Sequence, residues 1–228
     1  MQVMDDLSKR TLEGLAKFQL FLGLVIFLPA WSLRYWQGWL YWLVFGLMCL
    51  VLGLYFARHD PALVARRMEA GPTAEKEPRQ KLILWCASAA LIALYIVSGL
   101  DYHFGWSSVP AWLALIADLL VILSFYGFFV TFRANAYAAA TVTVEAGQPV
   151  ISSGPYAVVR HPMYTAAIVL FAATPVALAS WWGLVPAAVL AAAIVCRLLD
   201  EEAYLARQLP GYTDYQRKVR ARLIPGVW

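Results

Sequence analysis
The sequence predicts an all-α, polytopic transmembrane helix bundle, with about six helices and a helical hairpin near the C-terminus. One feature of composition and two of patterning predict it. Hydrophobic residues make up 62% of the 228-residue chain and charged residues only 14%, far from the balance of a soluble domain. The apolar residues fall into runs that approach the roughly twenty needed to cross the hydrocarbon core of a bilayer. Lys and Arg flank these runs almost entirely on one side.

The candidate spans follow in order. Leu15–Trp31 is the first, with Pro29 near its end, and Tyr35–Phe56 is the second. Leu82–Leu100 is the third, and Val109–Phe132 is the fourth, with Pro110 suited to a first helical turn. Tyr164–Ala179 and Gly183–Leu199 read as two short arms of a hairpin, divided at Ser180-Trp181-Trp182-Gly183 by aromatics suited to an interface. Met1 to Lys17 is polar and charged, so no cleavable signal peptide is read and the first helix is expected to stay in the mature protein.

With six crossings, Lys9, Arg10 and Lys17, the basic residues from Arg58 to Lys81, Arg133, Arg160, and those from Arg197 to Arg222 all share one face. Only Arg34 lies opposite. The positive-inside rule then predicts cytoplasmic N- and C-termini.

The remaining segments are expected on the cytoplasmic side. Arg58–Gln80, with Gly71-Pro72, reads as a mobile loop. Between Arg133 and His161, Thr141–Val144 suits a short strand and Glu145–Gln148 a turn. Glu201–Gln208 is expected to continue the last helix until Pro210-Gly211 breaks it, and Tyr212–Arg222 to form a short interfacial helix. The basic balance of +4 belongs to membrane flanks and does not indicate nucleic-acid binding. Cys49, Cys86 and Cys196 stand alone in apolar runs, and no disulfide framework or metal-ligand spacing can be read from them.

Two constellations can carry chemistry. The first is Gly154-Pro155-Tyr156 followed by Arg160-His161-Pro162-Met163-Tyr164. Pro162 lacks an N–H and has a helical φ, so it suits the first position of a helix. Arg160 and His161 then stand at that helix's N-terminus, where backbone N–H groups favour an anion. His161 and Tyr164 share a helical face, and Gly154 allows a tight turn. The competing role for this group is an interfacial anchor.

The second constellation is Arg197 with Asp200-Glu201-Glu202. Arg197 and Glu201 are four residues apart and share a face. A carboxylate there can accept from two vicinal hydroxyls, or it can serve as a structural ion pair. Asp118, inside the fourth helix, is either a functional intramembrane acid or, the favoured reading, a hydrogen bond to a neighbouring helix. His59 and His103 read as boundary residues.

These motifs, together with Glu201-Glu202 and Gly211-Tyr212-x-x-Tyr215, resemble the isoprenylcysteine carboxyl methyltransferase family. The similarity covers Asn135 to Trp228, which divides the chain into helices at 1–134 and a methyltransferase-like region at 135–228. The resemblance implies cytoplasmic loops that bind S-adenosylmethionine, and a lipidic or hydrophobic small-molecule substrate entering from the membrane lipids. It implies Gly154, Tyr156, Arg160, His161, Pro162, Tyr164, Glu201 and Glu202 as cofactor-binding residues, and Arg197 and Asn135 as residues at the reacting groups. Thr165-Ala166 departs from the family, where many relatives carry a glycine; Ala is expected to preserve tight helix packing. A membrane reductase using NADPH, of the sterol-reductase type, is a competing class. Met163 and Thr165-Ala166 stand where that class usually has Asn and Gly-Glu. A transporter or scaffold is a third class, and it would more often show a polar path through several helices.

Overall fold
The computed structural model describes residues 2–68, 73, 75, 77–137, 144 and 147–228. Among them it contains helices and no sheet: α1 (Gln2–Ala30), α2 (Trp36–His59), α3 (Pro61–Met68), α4 (Pro78–Phe104), α5 (Ala111–Ala134), α6 (Pro162–Ala177), α7 (Leu184–Gln208) and α8 (Tyr212–Lys218). The chain is an all-α, multi-spanning membrane protein. Lys9–Ala30 of α1, together with α2, α4 and α5, supplies four helices long and apolar enough to cross a bilayer.

Contacts between α1 and α2, α2 and α5, α5 and α6, α6 and α7, α7 and α4, and α4 and α1 close a ring of six helices. Its inside is packed with Leu22, Ile26, Tyr41, Leu94, Val121, Leu170 and Leu190, while Leu28, Leu43, Leu82, Leu119 and Leu123 face outward. That exposed apolar girdle is what a lipid solvent permits and water does not.

Two close approaches set the helix spacing. A Cβ on Gly99 of α4 would meet the Ile26 carbonyl oxygen of α1 at 2.9 Å, and one on Gly127 of α5 would meet the Ala166 Cβ of α6 at 3.0 Å. The small residue that α6 lacks is thus supplied by α5, and Ala166 packs against it. A buried polar set ties three helices, with the Tyr41 hydroxyl 2.9 Å from that of Tyr95 and 3.1 Å from Thr174 Oγ1.

The hairpin tip is fastened to the end of the bundle opposite the Arg160–Glu202 segment. The Tyr35 hydroxyl donates to the Leu178 carbonyl. Asp101, at the end of α4, accepts from Ser180 at 2.5 Å and from Ser107 at 2.6 Å. The first turn of α6 and the charged end of α7 therefore return together to the other end. α7 runs on without a break past Leu199 to Gln208.

Several expectations are corrected. The segment after Arg58 is not all loop: α3 forms there, because Asp60 Oδ1 caps the Leu63 N–H at 3.0 Å and Leu63 is buried. α5 begins at Ala111, with Pro110 as its cap rather than in its first turn. Val144 is in no regular element, Gly147 lies in a turn with φ 76°, and Gly71, Pro72, 141–143, 145 and 146 lie outside the described residues. Asp118 is buried, but neither of its carboxylate oxygens has a hydrogen-bond partner among the described residues, contrary to the expected helix–helix bond.

Candidate active site
The site forms because the residue before α6 and the last turns of α7 meet. His161 caps α6, and Pro162 opens it. Its ring stacks on Tyr164, with centroids 5.5 Å apart. The Tyr164 hydroxyl donates to Glu201 Oε2 at 2.5 Å and accepts from Arg197 Nε at 3.2 Å. Arg197 also donates to Gln80 Oε1 at 2.9 Å and to Glu75 Oε2 at 3.3 Å. Arg197 and Glu201 are thus joined through a phenol.

Glu202, one residue on, faces a different set. Its buried carboxylate accepts from Arg160 Nε at 2.6 Å and Arg222 Nε at 2.9 Å, and lies 3.2 Å from His161 Nε2. Burial pushes this carboxyl upward, but the hydrogen bonds from His161, Arg160 and Arg222 outweigh it and hold the group down at about 2. Arg160 also donates to the carbonyls of Val219 and Arg220 at 2.7 and 2.8 Å. The backbone N–H groups of Arg160 and His161 each bond the tail, at the Ala221 and Arg222 carbonyls, at 3.0 Å. This cluster clamps the C-terminal segment under the start of α6.

Above the clamp lies a partly open cleft of about 110 Å³. Of the residues singled out from the sequence, Asn135, Tyr156, Arg160, His161, Pro162, Tyr164 and Glu201 line it; Gly154, Arg197 and Glu202 do not. Gly154, at φ 58°, opens the short 3-10 turn that carries Tyr156. Asn135 Nδ2 donates to the Tyr156 hydroxyl at 3.2 Å, and the Tyr215 hydroxyl donates to the Tyr156 carbonyl at 2.8 Å. Burial pushes the Tyr156 phenol up to about 12, so it stays neutral.

Sequence reasoning missed Gln80, Glu75 and Arg222, whose partners lie far along the chain, and Gln148–Ile151, which complete the cavity wall. No local signal marks them. It also missed Arg67 of α3, whose guanidinium lies 4.2 Å from the Phe132 ring centroid and donates to Met163 Sδ at 3.5 Å. Among the described residues no group of His, Cys, Asp and Glu could hold a metal ion.

Residues 112–210 match the family model described as phospholipid methyltransferase. That stretch, under half of the chain, runs from α5 through the cavity loop and the hairpin to the end of α7. Over it the chain carries a domain of an S-adenosylmethionine-dependent methyltransferase family. The match supports this class and does not single out the isoprenylcysteine carboxyl methyltransferases that the motifs resemble. No curated protein matched the chain.

Proposed function
We propose that this membrane protein binds S-adenosylmethionine in the cavity between the α6 start and the α7 end, and transfers its methyl group to a lipidic or membrane-partitioning substrate. The observation that carries the reading is the wall itself: one carboxylate, Glu201, among the phenols of Tyr156, Tyr164, Tyr212 and Tyr215. The Tyr212 hydroxyl is buried and lacks a hydrogen-bond partner among the described residues. A buried polar atom without a partner is costly unless a ligand completes it.

The donor set suits the cofactor. Glu201 accepts from ribose hydroxyls, aromatic faces attract a sulfonium, and the α6 N-terminus favours a carboxylate. When bound, the cofactor supplies an electrophilic methyl group. The protein's part is to orient the two reactants and exclude water. Asn135, held by Tyr156, stands beside the cavity as a positioning group. The grouping of Lys and Arg supports a cytoplasmic site. Calorimetric titration of the purified chain tests the reading: S-adenosylmethionine is expected to bind and NADPH not to. Binding of NADPH alone would replace it with the reductase class.

A further inference from the structure
The two phenols of α8 line the cleft on different terms. Gly211, at φ 84°, turns the chain back after α7. Tyr212 and Tyr215 then share a face of α8, packed against Leu205 and Val150. The Tyr215 hydroxyl donates to the Tyr156 carbonyl at 2.8 Å. Tyr212 is as deeply buried, yet its hydroxyl has no hydrogen-bond partner among the described residues. Burial, with the Glu202 and Glu201 carboxylates nearby, raises that phenol well above its ordinary value. It stays a neutral hydroxyl with a proton to donate.

The cleft has two unlike ends. At one, Met163 lines the wall and packs on Phe56, Leu63 and Phe132 of α2, α3 and α5. At the other, Val150, Leu205, Tyr212 and Tyr215 form an apolar, aromatic slot away from those helices. Glu201 joins the two ends. Its carboxylate takes the hydroxyl of Tyr164, the residue after Met163. Leu205 follows it by one turn on the same face of α7, about 6 Å further along. A nucleoside has a similar reach from its ribose hydroxyls to its base.

We infer that Tyr212 is the residue that recognises the base of the methyl donor: with Glu201 on the ribose, adenine enters the slot of Val150, Leu205 and Tyr215, and one of its ring nitrogens accepts from the Tyr212 hydroxyl. The inference rests on the methyltransferase reading and fixes which way round the donor lies, with its methyl group on the Met163 side, toward the bundle. Tyr212 is then a specificity-determining residue. A base without the matching acceptor leaves a buried hydroxyl unpaired, and a site built around such a bond rejects the analogue that lacks it.

Calorimetric titration of the full chain in dodecyl maltoside tests this. The probes are S-adenosylhomocysteine and its deaza forms, in each of which one ring nitrogen is replaced by C–H. One deaza form is expected to bind the unaltered protein about three- to tenfold more weakly, the loss of one neutral hydrogen bond. Tyr212→Phe should weaken the parent compound by a similar factor, and should bind that deaza form as well as it binds the parent. Thermal melts without ligand give a second readout. Tyr212→Phe removes a hydroxyl that lacks a partner, so its melting temperature should be unchanged or higher. Tyr215→Phe, which loses the bond to Tyr156, should melt lower. The inference is overturned if Tyr212→Phe binds the parent unchanged, melts lower or fails to fold, or still discriminates against the deaza forms as the unaltered protein does. In each of those cases binding by the unaltered protein leaves the methyltransferase reading standing. If the unaltered protein binds no adenosyl compound, the reading falls and the inference with it.

Discussion
The hydroxyl of Tyr164 lies 2.5 Å from a carboxylate oxygen of Glu201, 37 residues along the chain, and so fixes the first turn of α6 against the end of α7. The same hydroxyl takes a hydrogen bond from Arg197. Tyr164→Phe keeps the ring and removes both bonds. Loss of a buried hydrogen bond to a charged partner costs about 1–3 kcal/mol, so S-adenosylmethionine affinity is expected to fall roughly five- to a hundredfold. Calorimetric titration checks this, and an unchanged affinity would free the cavity from any dependence on this bridge.

Glu201 and Glu202 are adjacent in sequence, yet only the first lines the cavity. Glu201→Gln is expected to weaken donor binding with little change in thermal stability. Glu202→Gln removes the countercharge of two arginines and should destabilise the protein by roughly 3–5 kcal/mol, the usual cost of breaking a buried ion pair. A melting curve and a titration on both variants suffice. Equal effects on both measurements would refute the division of labour.

Acid should act through Glu202. Its carboxyl is held at about 2, against an ordinary value of 4.5. A folded value below the unfolded one gives stability that is fully present above the unfolded value and is lost as pH falls toward the folded one. The melting temperature of the unaltered protein is expected to decline between about pH 4.5 and 2 through this group. In Glu202→Gln the curve should start lower and fall less steeply over that window, as read by thermal melts in a buffer series.

Much of this arrangement is legible in the sequence. Pro162 marks the start of α6, because a residue without an N–H suits a first helical turn, and Pro210-Gly211 marks where α7 stops. Two antiparallel arms of similar length had to bring His161 and Glu201 to one end. What stayed hidden depended on partners distant in sequence. Arg222 reads as one more basic residue until its 2.9 Å contact with Glu202 is seen. Asp60-Pro61 was overlooked as a helix start because the apolar stripe behind it is a single turn long. The differing roles of Glu201 and Glu202 could not be told apart, since a helix sends adjacent side chains about 100° apart and the sequence does not say which faces inward.

At the opposite end, Asp101 accepts from Ser107 and Ser180 and holds the hairpin tip. Asp101→Ala would leave the buried Ser180 hydroxyl and the half-buried Ser107 hydroxyl without their acceptor, at a cost of about 1–3 kcal/mol. The melting temperature should fall while S-adenosylmethionine affinity stays within twofold or so, because the staple and the cavity lie at opposite ends of α6. A large loss of affinity would show that the tip governs the site.

Orientation is open to direct measurement. In a chain stripped of its native cysteines, a cysteine at Leu33 should react with an impermeant maleimide applied from outside. Cysteines at Thr73 or Lys218 should react only after the membrane is opened. The reverse pattern would invert the topology.

The bonds from Arg197 to Gln80 and Glu75, and from Ser180 to Asp101, tie the motif-bearing half of the chain to helices that carry no motif at all. A chain cut after Ala134 would leave the Arg197 guanidinium without its Gln80 and Glu75 acceptors and the Ser180 hydroxyl without Asp101. The motif-bearing half is therefore not a transplantable module. Grafted onto another set of helices it would need those three acceptors rebuilt at the same depths, and any engineered chimera of this protein should be joined with α4 kept alongside α7.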